Sequence, residues 1–529
     1  MSAHQRLEAH RRKRQTLAST AVLIVGGSSY FSMLAGVLRS VLVMRLVGPA
    51  PQGVRRTVDL ILKYLTHSHL GVLHGANKEL PIRLGQNDAA GIQEVEDVGV
   101  TWVVGLTLIA SVAMLIAGLL NPTGQRVTSI AIMIGAGLLI VGQTVTLYRT
   151  IARAWGNFRA LGIVAAVETI TTFAFTLLGA YGFYHFGRPD QHREYAVLGA
   201  MLGGLLAACV ALLMLGKMAP IHVHVRFDRR VGWQLAKAGL PIAAMIFADT
   251  LLRTVDGGII TAYYGSYWFG LYSMAMQMAG YLYAIPEAAG FVMWPRILEA
   301  YGAANGDQQA LRRQVVLPTL MAGIFMPVVA GTAYIALPPV VNAVLPKFMP
   351  AMGATQILAL ASVFLALPMA ANSLLIALDR GHHVVAYKLV GAAVVACGCF
   401  LLARHNVHEL SSFAIVTSFG YAVAAILSVG IVLPQYESSL LRRIELLFGT
   451  FSPFVWACCA LLLSRVLGSI FMLPDGGSFV WAVLRLLLFL GLMIPVLLFG
   501  NRQTHLLHEL RVMRKSWNRK DVVDHETDA

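Results

Sequence analysis

Apolar windows of about twenty residues recur almost end to end along this chain, each long enough to cross the hydrocarbon core of a bilayer. About fourteen can be marked: 20–45, 56–75, 98–120, 127–150, 161–184, 194–216, 236–263, 268–293, 314–337, 354–378, 384–404, 411–434, 446–467 and 478–500. Charged residues amount to 13%, roughly half the globular norm. The fold class this dictates is an all-α polytopic membrane protein.

Basic clusters set the orientation. Arg11, Arg12, Lys13 and Arg14 precede the first window, and Arg226, Arg229, Arg230, Arg312, Arg313, Arg442 and Arg443 fall on the same side of the membrane. The positive-inside rule then puts both termini in the cytoplasm and asks for an even number of crossings. The net charge of +15 is accounted for by this topology and by anionic lipid, without nucleic acid. All five cysteines (Cys209, Cys397, Cys399, Cys458 and Cys459) lie inside windows and none has a CxxC or Cys/His spacing. They read as packing residues, with no disulfide framework and no metal site.

A basic link at 217–235 divides the first twelve windows into two six-helix lobes, 20–216 and 236–434. A basic segment, 1–19, precedes them; an additional helix pair, 435–500, and a tail, 501–529, follow. Six crossings per lobe make the lobes parallel repeats about an axis along the membrane normal, around a central cavity. The sequence carries an echo of this repeat. Gly48 and Gly53 end the first window in RLVGPAPQG, and Gly265 and Gly270 end the seventh in YYGSYWFG, both pairs five apart. Glycine at such turns tolerates positive φ.

Within these apolar surroundings, Arg56, Asp59, Lys63, His67, His74 and Lys78 repeat at three, four and seven residues, as one face of a helix does. Lipid cannot solvate such a face, so it points to other helices or to a water-filled cavity.

The stretches RLVGPAPQG (45–53), GVLHGANKELPIRLGQND (71–88) and YYGSYWFGLYSMAMQMAGY (263–281) resemble the polysaccharide transporter, or oligosaccharide flippase, family of the multidrug/oligosaccharidyl-lipid/polysaccharide (MOP) exporter superfamily. The resemblance covers about 20–435 as an architecture. It implies alternating access between two lobes and movement of polyprenyl-pyrophosphate-linked oligosaccharide to the outer leaflet of a bacterial cytoplasmic (inner) membrane, for surface polysaccharide biosynthesis. Its implied partners are that lipid-linked substrate, membrane lipids and polysaccharide polymerase or assembly proteins. Two departures stand out. Gln52 replaces the aromatic expected before the second glycine of the first turn, where the second turn keeps Phe269; and Arg39 lacks the acidic neighbour typical of peptidoglycan-precursor flippases.

A pyrophosphate headgroup requires cations, and sugars require aromatics and amides. The cavity candidates are Arg39, Lys63 and Arg253 at membrane depth, Arg45 and Arg296 nearer the ends, and Gln277 and Tyr281 on the eighth span. Asp59, Asp249, Asp256, Glu287 and Glu168 are the candidates for coupling to H+ or Na+; no organic cofactor is implied. Two alternatives share the fold: an ion-coupled multidrug or small-molecule exporter, and a lipid-linked peptidoglycan precursor flippase. A membrane enzyme is disfavoured, because the loops are short and there is no Walker motif, HExxH or nucleophile elbow.

Overall fold

A computed structural model describes residues 18–120, 124–186, 191–219, 224–303, 308–435, 439–470 and 479–504. The described residues are all-α. The helices are α1 (Ala18–Val47), α2 (Pro49–Leu65), α3 (Val72–Gln86), α4 (Ala89–Leu120), α5 (Arg126–Ala154), α6 (Phe158–Phe186), α7 (His192–Met218) and α8 (Arg229–Ala303). They continue as α9 (Gln308–Val344), α10 (Met352–Ala366), α11 (Pro368–Ala377), α12 (Gly381–Arg404), α13 (Leu410–Val432), α14 (Leu440–Ile470) and α15 (Phe479–Thr504). Most of the basic segment 1–19 and of the tail 501–529 lies outside the described residues.

Among the described residues, eleven helical stretches are long and apolar enough to cross a membrane. The longest, Arg229–Glu287, is two spans, because the helical dihedrals break at Gly265 (φ 80°, ψ −173°). The expected first span is α1. The expected second span is α2 followed by α3, each too short to cross alone. With these the count agrees with the sequence, and the chain is a polytopic membrane protein.

Two compact units form, one from 1–274 with 395–408 and the other from 275–394 with 409–529. In the first, α1, α2, α4, α5, α6 and α7 share a core that includes Val43, Val58, Met114, Ala131, Ala180 and Leu198. A second core joins α3, α4, α5 and the start of α8 through Leu80, Val98, Ile151 and Leu235. Helices α6 and α7 approach backbone to backbone, since a β-carbon on either Gly179 or Gly199 would overlap the carbonyl of the other. Small residues permit this in a bilayer, where helix association relies on close packing rather than on the hydrophobic effect. Large apolar side chains such as Ile109, Leu119, Leu178 and Leu213 are exposed, as a lipid-facing surface requires. In the second unit, α9, α14 and α15 pack around Ile335, Ala457, Leu461, Phe489 and Met493, which attaches the extra C-terminal pair.

The segment entering α8 is clasped to α4. Asp97, almost fully buried, accepts hydrogen bonds from Gln93 Nε2 and the His224 amide, both 2.9 Å, and Phe227 stacks on Trp102 at 5.1 Å.

The glycine echo is structural. Gly48 (φ 79°, ψ −177°) opens α2, and Gly265 opens the second half of α8 with nearly the same dihedrals. Both lie in the positive-φ region that side chains rarely adopt. The two turns also meet. A β-carbon on Gly53 would overlap the Ser266 carbonyl, one on Gly270 would overlap the Pro49 carbonyl, and each would stand 3.0 Å from the other glycine's amide nitrogen. Pro49 follows Gly48 as Ser266 follows Gly265, so the contact is reciprocal, as a local two-fold axis would generate. Gln52 is fully buried beside it, in the place where Phe269 is buried in the second copy.

Gly270→Val should pry this contact apart. In a variant lacking the five native cysteines, a cysteine at Pro49 is expected to react with a water-soluble maleimide several-fold faster when Gly270→Val is added. Gly105→Val, where an added β-carbon meets nothing within 4 Å, should leave the rate unchanged. Equal labelling in all three proteins would refute the close approach.

Candidate functional site

The second span is broken. After α2 ends at Leu65, the chain turns through 66–71, with Leu70 (φ 49°) and Gly71 (φ 87°) in left-handed conformations, before α3 begins. The charged face expected to run unbroken over 56–78 is therefore divided, and only Arg56, Asp59 and Lys63 stay on α2. The backbone of the break is nonetheless well satisfied, although the side-chain atoms His67 Nδ1 and Ser68 Oγ are buried without a hydrogen-bond partner. The amides of His67, Ser68 and Leu70 donate to the carbonyls of Tyr64, Leu65 and His67, and Gln143 Nε2 donates to the Thr66 carbonyl at 2.8 Å. His69 Nδ1 accepts from the Gly71 amide at 3.2 Å, and the His69 and His74 rings meet edge to face at 5.2 Å. Non-helical backbone at membrane depth is tolerated where protein or a cavity surrounds it.

Helix α2 faces the first half of α8 along a polar seam. Tyr64 Oη and Thr254 Oγ1 share a hydrogen bond of 2.9 Å, Thr250 Oγ1 lies 3.5 Å from His67 Nε2, and the His67 ring stands edge-on to Phe247. The exposed Lys63 is in electrostatic range of Arg56, Asp59, Arg253 and Asp256. Arg56 pairs with Asp59 at 3.4 Å and Arg253 with Asp249 at 3.3 Å. Two of the cations proposed from sequence, Lys63 and Arg253, are thus brought together from different helices. Asp256 plays another part. It is fully buried, accepting from Tyr272 Oη at 2.8 Å and from the Gly257 amide at 2.7 Å, which fixes α8 on both sides of the Gly265 break.

A second polar compartment lies inside the bundle of α1, α2, α5, α6 and α7. A cavity of about 350 Å³ is bounded by Arg39, Arg55, Asp59, Glu168, Thr172 and Thr176 and by apolar side chains that include Leu138 and Met201. A neighbouring cavity of about 170 Å³ between α1 and α6 shares Arg39, Glu168 and Thr172. Glu168 forms an ion pair with Arg149. Arg39, Asp59 and Glu168 accordingly share one compartment, which the sequence reading did not group.

The remaining candidates are dispersed. Arg45 is exposed at the end of α1. In the second unit, Gln277 Nε2 donates to Tyr281 Oη and Glu287 is exposed. The Arg296 side chain lies outside the described residues. Sequence reasoning passed over Arg55, Arg149 and the Tyr64–Thr254 contact. The signal for Arg55 was present in the tandem Arg55–Arg56, because adjacent helical residues project about 100° apart and two cations so placed serve two faces.

A family model described as Polysaccharide biosynthesis protein matches residues 101–348. No curated protein matches the chain. Among solved structures, the lipid II flippase MurJ in its inward closed conformation superposes with TM-score 0.66 at 12% identity, over 91% of this chain and 99% of that one. An inward-facing multidrug resistance MATE family transporter of the MOP superfamily gives 0.55 at 15% identity, over 84% and 99%. A MOP superfamily transporter from Pyrococcus furiosus gives 0.53 at 16% identity, over 80% and 96%.

The geometry separates an anchoring acid from a partly exposed pair. Asp256→Ala strands the Tyr272 hydroxyl and the Gly257 amide and is expected to cost about 3 kcal/mol in denaturant unfolding of the purified protein. Arg253→Gln, which removes one partner of a pair whose side chains are 29% and 28% exposed, is expected to cost about 1 kcal/mol or less. The reverse order would show that Asp256 is not the anchor. With this architecture the chain has the fold of the MOP superfamily transporters, and over 101–348 it carries the sequence pattern of the polysaccharide biosynthesis protein family.

Proposed function

We propose that this protein is a flippase that carries polyprenyl-pyrophosphate-linked oligosaccharide from the cytoplasmic to the outer leaflet of a bacterial inner membrane, for surface polysaccharide biosynthesis. The observation that carries the reading is the seam between α2 and α8. There, Arg56 and Arg253 both lie within electrostatic range of Lys63, in a chain that is 57% apolar. Arg56 and Arg253 each have a carboxylate partner, whereas Lys63 forms no ion pair among the described residues, and a pyrophosphate supplies an anion for it. The family match over 101–348 adds the link to polysaccharide synthesis.

The mechanism is a rocking of the two repeats about the Gly53–Gly270 contact. That contact closes the non-cytoplasmic end when it is made and opens that end when it separates, while the break at 66–71 lets α2 move independently of α3. Both termini are cytoplasmic on this reading, and proton or sodium coupling falls to Asp249, Asp59, Glu168 or Glu287. Asp256 is the weakest of the coupling candidates, since both of its oxygens are occupied. Lipid-linked substrate, membrane lipids and a polysaccharide polymerase are the partners.

The carboxylates of Asp59 and Asp249 in the seam favour a second reading, an ion-coupled exporter of small cationic molecules. Deletion in the native organism separates the two. Loss of surface polysaccharide with unchanged drug susceptibility supports the flippase, and the opposite pattern supports the exporter. Lys63→Glu and Arg253→Glu are each expected to cut polysaccharide export at least tenfold at equal protein abundance. Parental export in both would remove the seam from the transport path.

A further inference from the structure

We propose that His69, in the break of the second span, is a proton-binding site, and that proton uptake there is linked to release of the Gly71 backbone. The inference concerns the break alone and holds whichever substrate the protein carries.

The tautomer of His69 follows from its hydrogen bond. A backbone amide only donates, so Nδ1, which accepts from the Gly71 amide at 3.2 Å, carries a lone pair and the ring proton sits on Nε2. The residue is 2% exposed. Protonated at Nδ1, the ring would turn an N–H toward an N–H and place a charge in an enclosed site. The break as it stands is therefore compatible only with the neutral ring. Gly71 is also where the break meets α8. A β-carbon on Gly71 would stand 2.8 Å from the Leu240 nitrogen, one on Gly75 would overlap the Leu235 carbonyl, and one on Gly239 would overlap the Gly71 carbonyl. The second and seventh spans thus touch backbone to backbone just after His69, with Gly71 held at φ 87°. Loss of the Nδ1 acceptor frees the Gly71 amide at this joint.

The surroundings supply no counter-charge. His67 and His74 lie within electrostatic range of the His69 ring, and both are bases, so a second proton in the cluster meets a like charge. The helices that pack here carry Lys63 on α2, Lys78 and Glu79 on α3, Arg149 on α5, and Lys237 and Asp249 on α8. Arg149 is paired with Glu168 and Asp249 with Arg253, and among the described residues no carboxylate forms an ion pair with any of the three histidines. His67 differs from His69. Thr250 Oγ1 donates to the Ile246 carbonyl at 3.0 Å, which leaves it to accept from His67 Nε2, 3.5 Å away, and His67 Nδ1 is buried with no hydrogen-bond partner. A proton on His67 Nδ1 breaks no bond, whereas one on His69 Nδ1 breaks the bond that shapes the turn. His67 and His74 are only partly buried, so water reaches the edge of the cluster. Because the joined break admits the neutral ring alone, it is favoured at high pH, and falling pH shifts the population toward release.

Hydrogen exchange over 66–75 in the full-length protein, purified in maltoside micelles, reads the release directly. After correction for the intrinsic exchange rate at each pH, protection is expected to fall at least tenfold from about pH 7.5 to about pH 5, the interval in which an imidazole in water takes up its proton. In His69→Asn, whose Oδ1 accepts from the Gly71 amide but does not titrate, protection is expected to be the same at both pH values. His67→Asn is expected to keep the parent's pH dependence, and the 170–180 stretch of α6 is expected to show none. Protection over 66–75 that does not change with pH in the parent overturns the proposal, as does a parental fall in His69→Asn. A matching fall over 170–180 assigns the change to general loosening and overturns it equally. Melting curves confirm folding of the variants, and His69→Gln repeats the test with the same readings if His69→Asn does not fold. No substrate enters the measurement, so its outcome is independent of the flippase reading.

Discussion

An ionised side chain inside a bilayer persists only where partner charges, hydrogen bonds or water reach it, and this constraint organises the first unit. In the low-dielectric interior the desolvation of each ion costs several kcal/mol, so the chain either pairs its charges or opens a space for them. Both solutions occur on one helix. Along α2, Arg56 and Asp59 pair, Lys63 lies in the seam, and Arg55 lines the cavity on the other side. The acid that is fully buried, Asp256, is also the one whose oxygens both accept hydrogen bonds. Burial, pairing and openness therefore divide the charged residues into anchors and cavity-lining groups without reference to what is transported.

The second constraint is the distance at which helices can pass. Membrane helices gain stability from close backbone approach, and glycine sets that distance at Gly179 and Gly199 and again where Gly53 meets Gly270. The latter contact differs in being built from two copies of one local structure. Gly48 and Gly265 share dihedrals within a few degrees, and the overlaps they position are reciprocal. A side chain at either inner glycine would separate both turns at once.

Much of this was legible in the sequence because its physical basis is local. Window length and hydrophobicity specify spans, and a glycine pair repeated at matched depth specifies a turn that recurs. Gly48 and Gly265 are read correctly for that reason. The break in the second span was not legible: its window, 56–75, is apolar enough to pass for one helix, and the helix in fact starts at Pro49 and ends at Leu65. What decides the outcome there is tertiary, a hydrogen bond from Gln143 that reaches the Thr66 carbonyl from 77 residues away and a left-handed Leu70 that propensity does not favour. The site residues show the same division. Periodicity placed Lys63 on a polar face correctly, but it could not show that Arg253 lies across from it, that Asp256 points to Tyr272, or that Asp59 borders a cavity with Glu168.

Arg55 shows where a single-stripe reading of a helix fails. One face of a transmembrane helix at the centre of a bundle is usually argued against lipid, so one polar stripe is sought and the rest is taken as apolar. Helix α2 touches no such simple boundary. Its polar and apolar residues are strongly segregated, yet the polar sector is wide enough to face α8 on one side and the α1–α5–α6–α7 cavity on the other. Neighbouring residues on this helix thus belong to different electrostatic compartments, and Asp59 sits between them, paired with Arg56 while lining the cavity with Arg55. The pair Arg56–Asp59 therefore borders both compartments, one partner on the side of Lys63 and the other on the cavity wall.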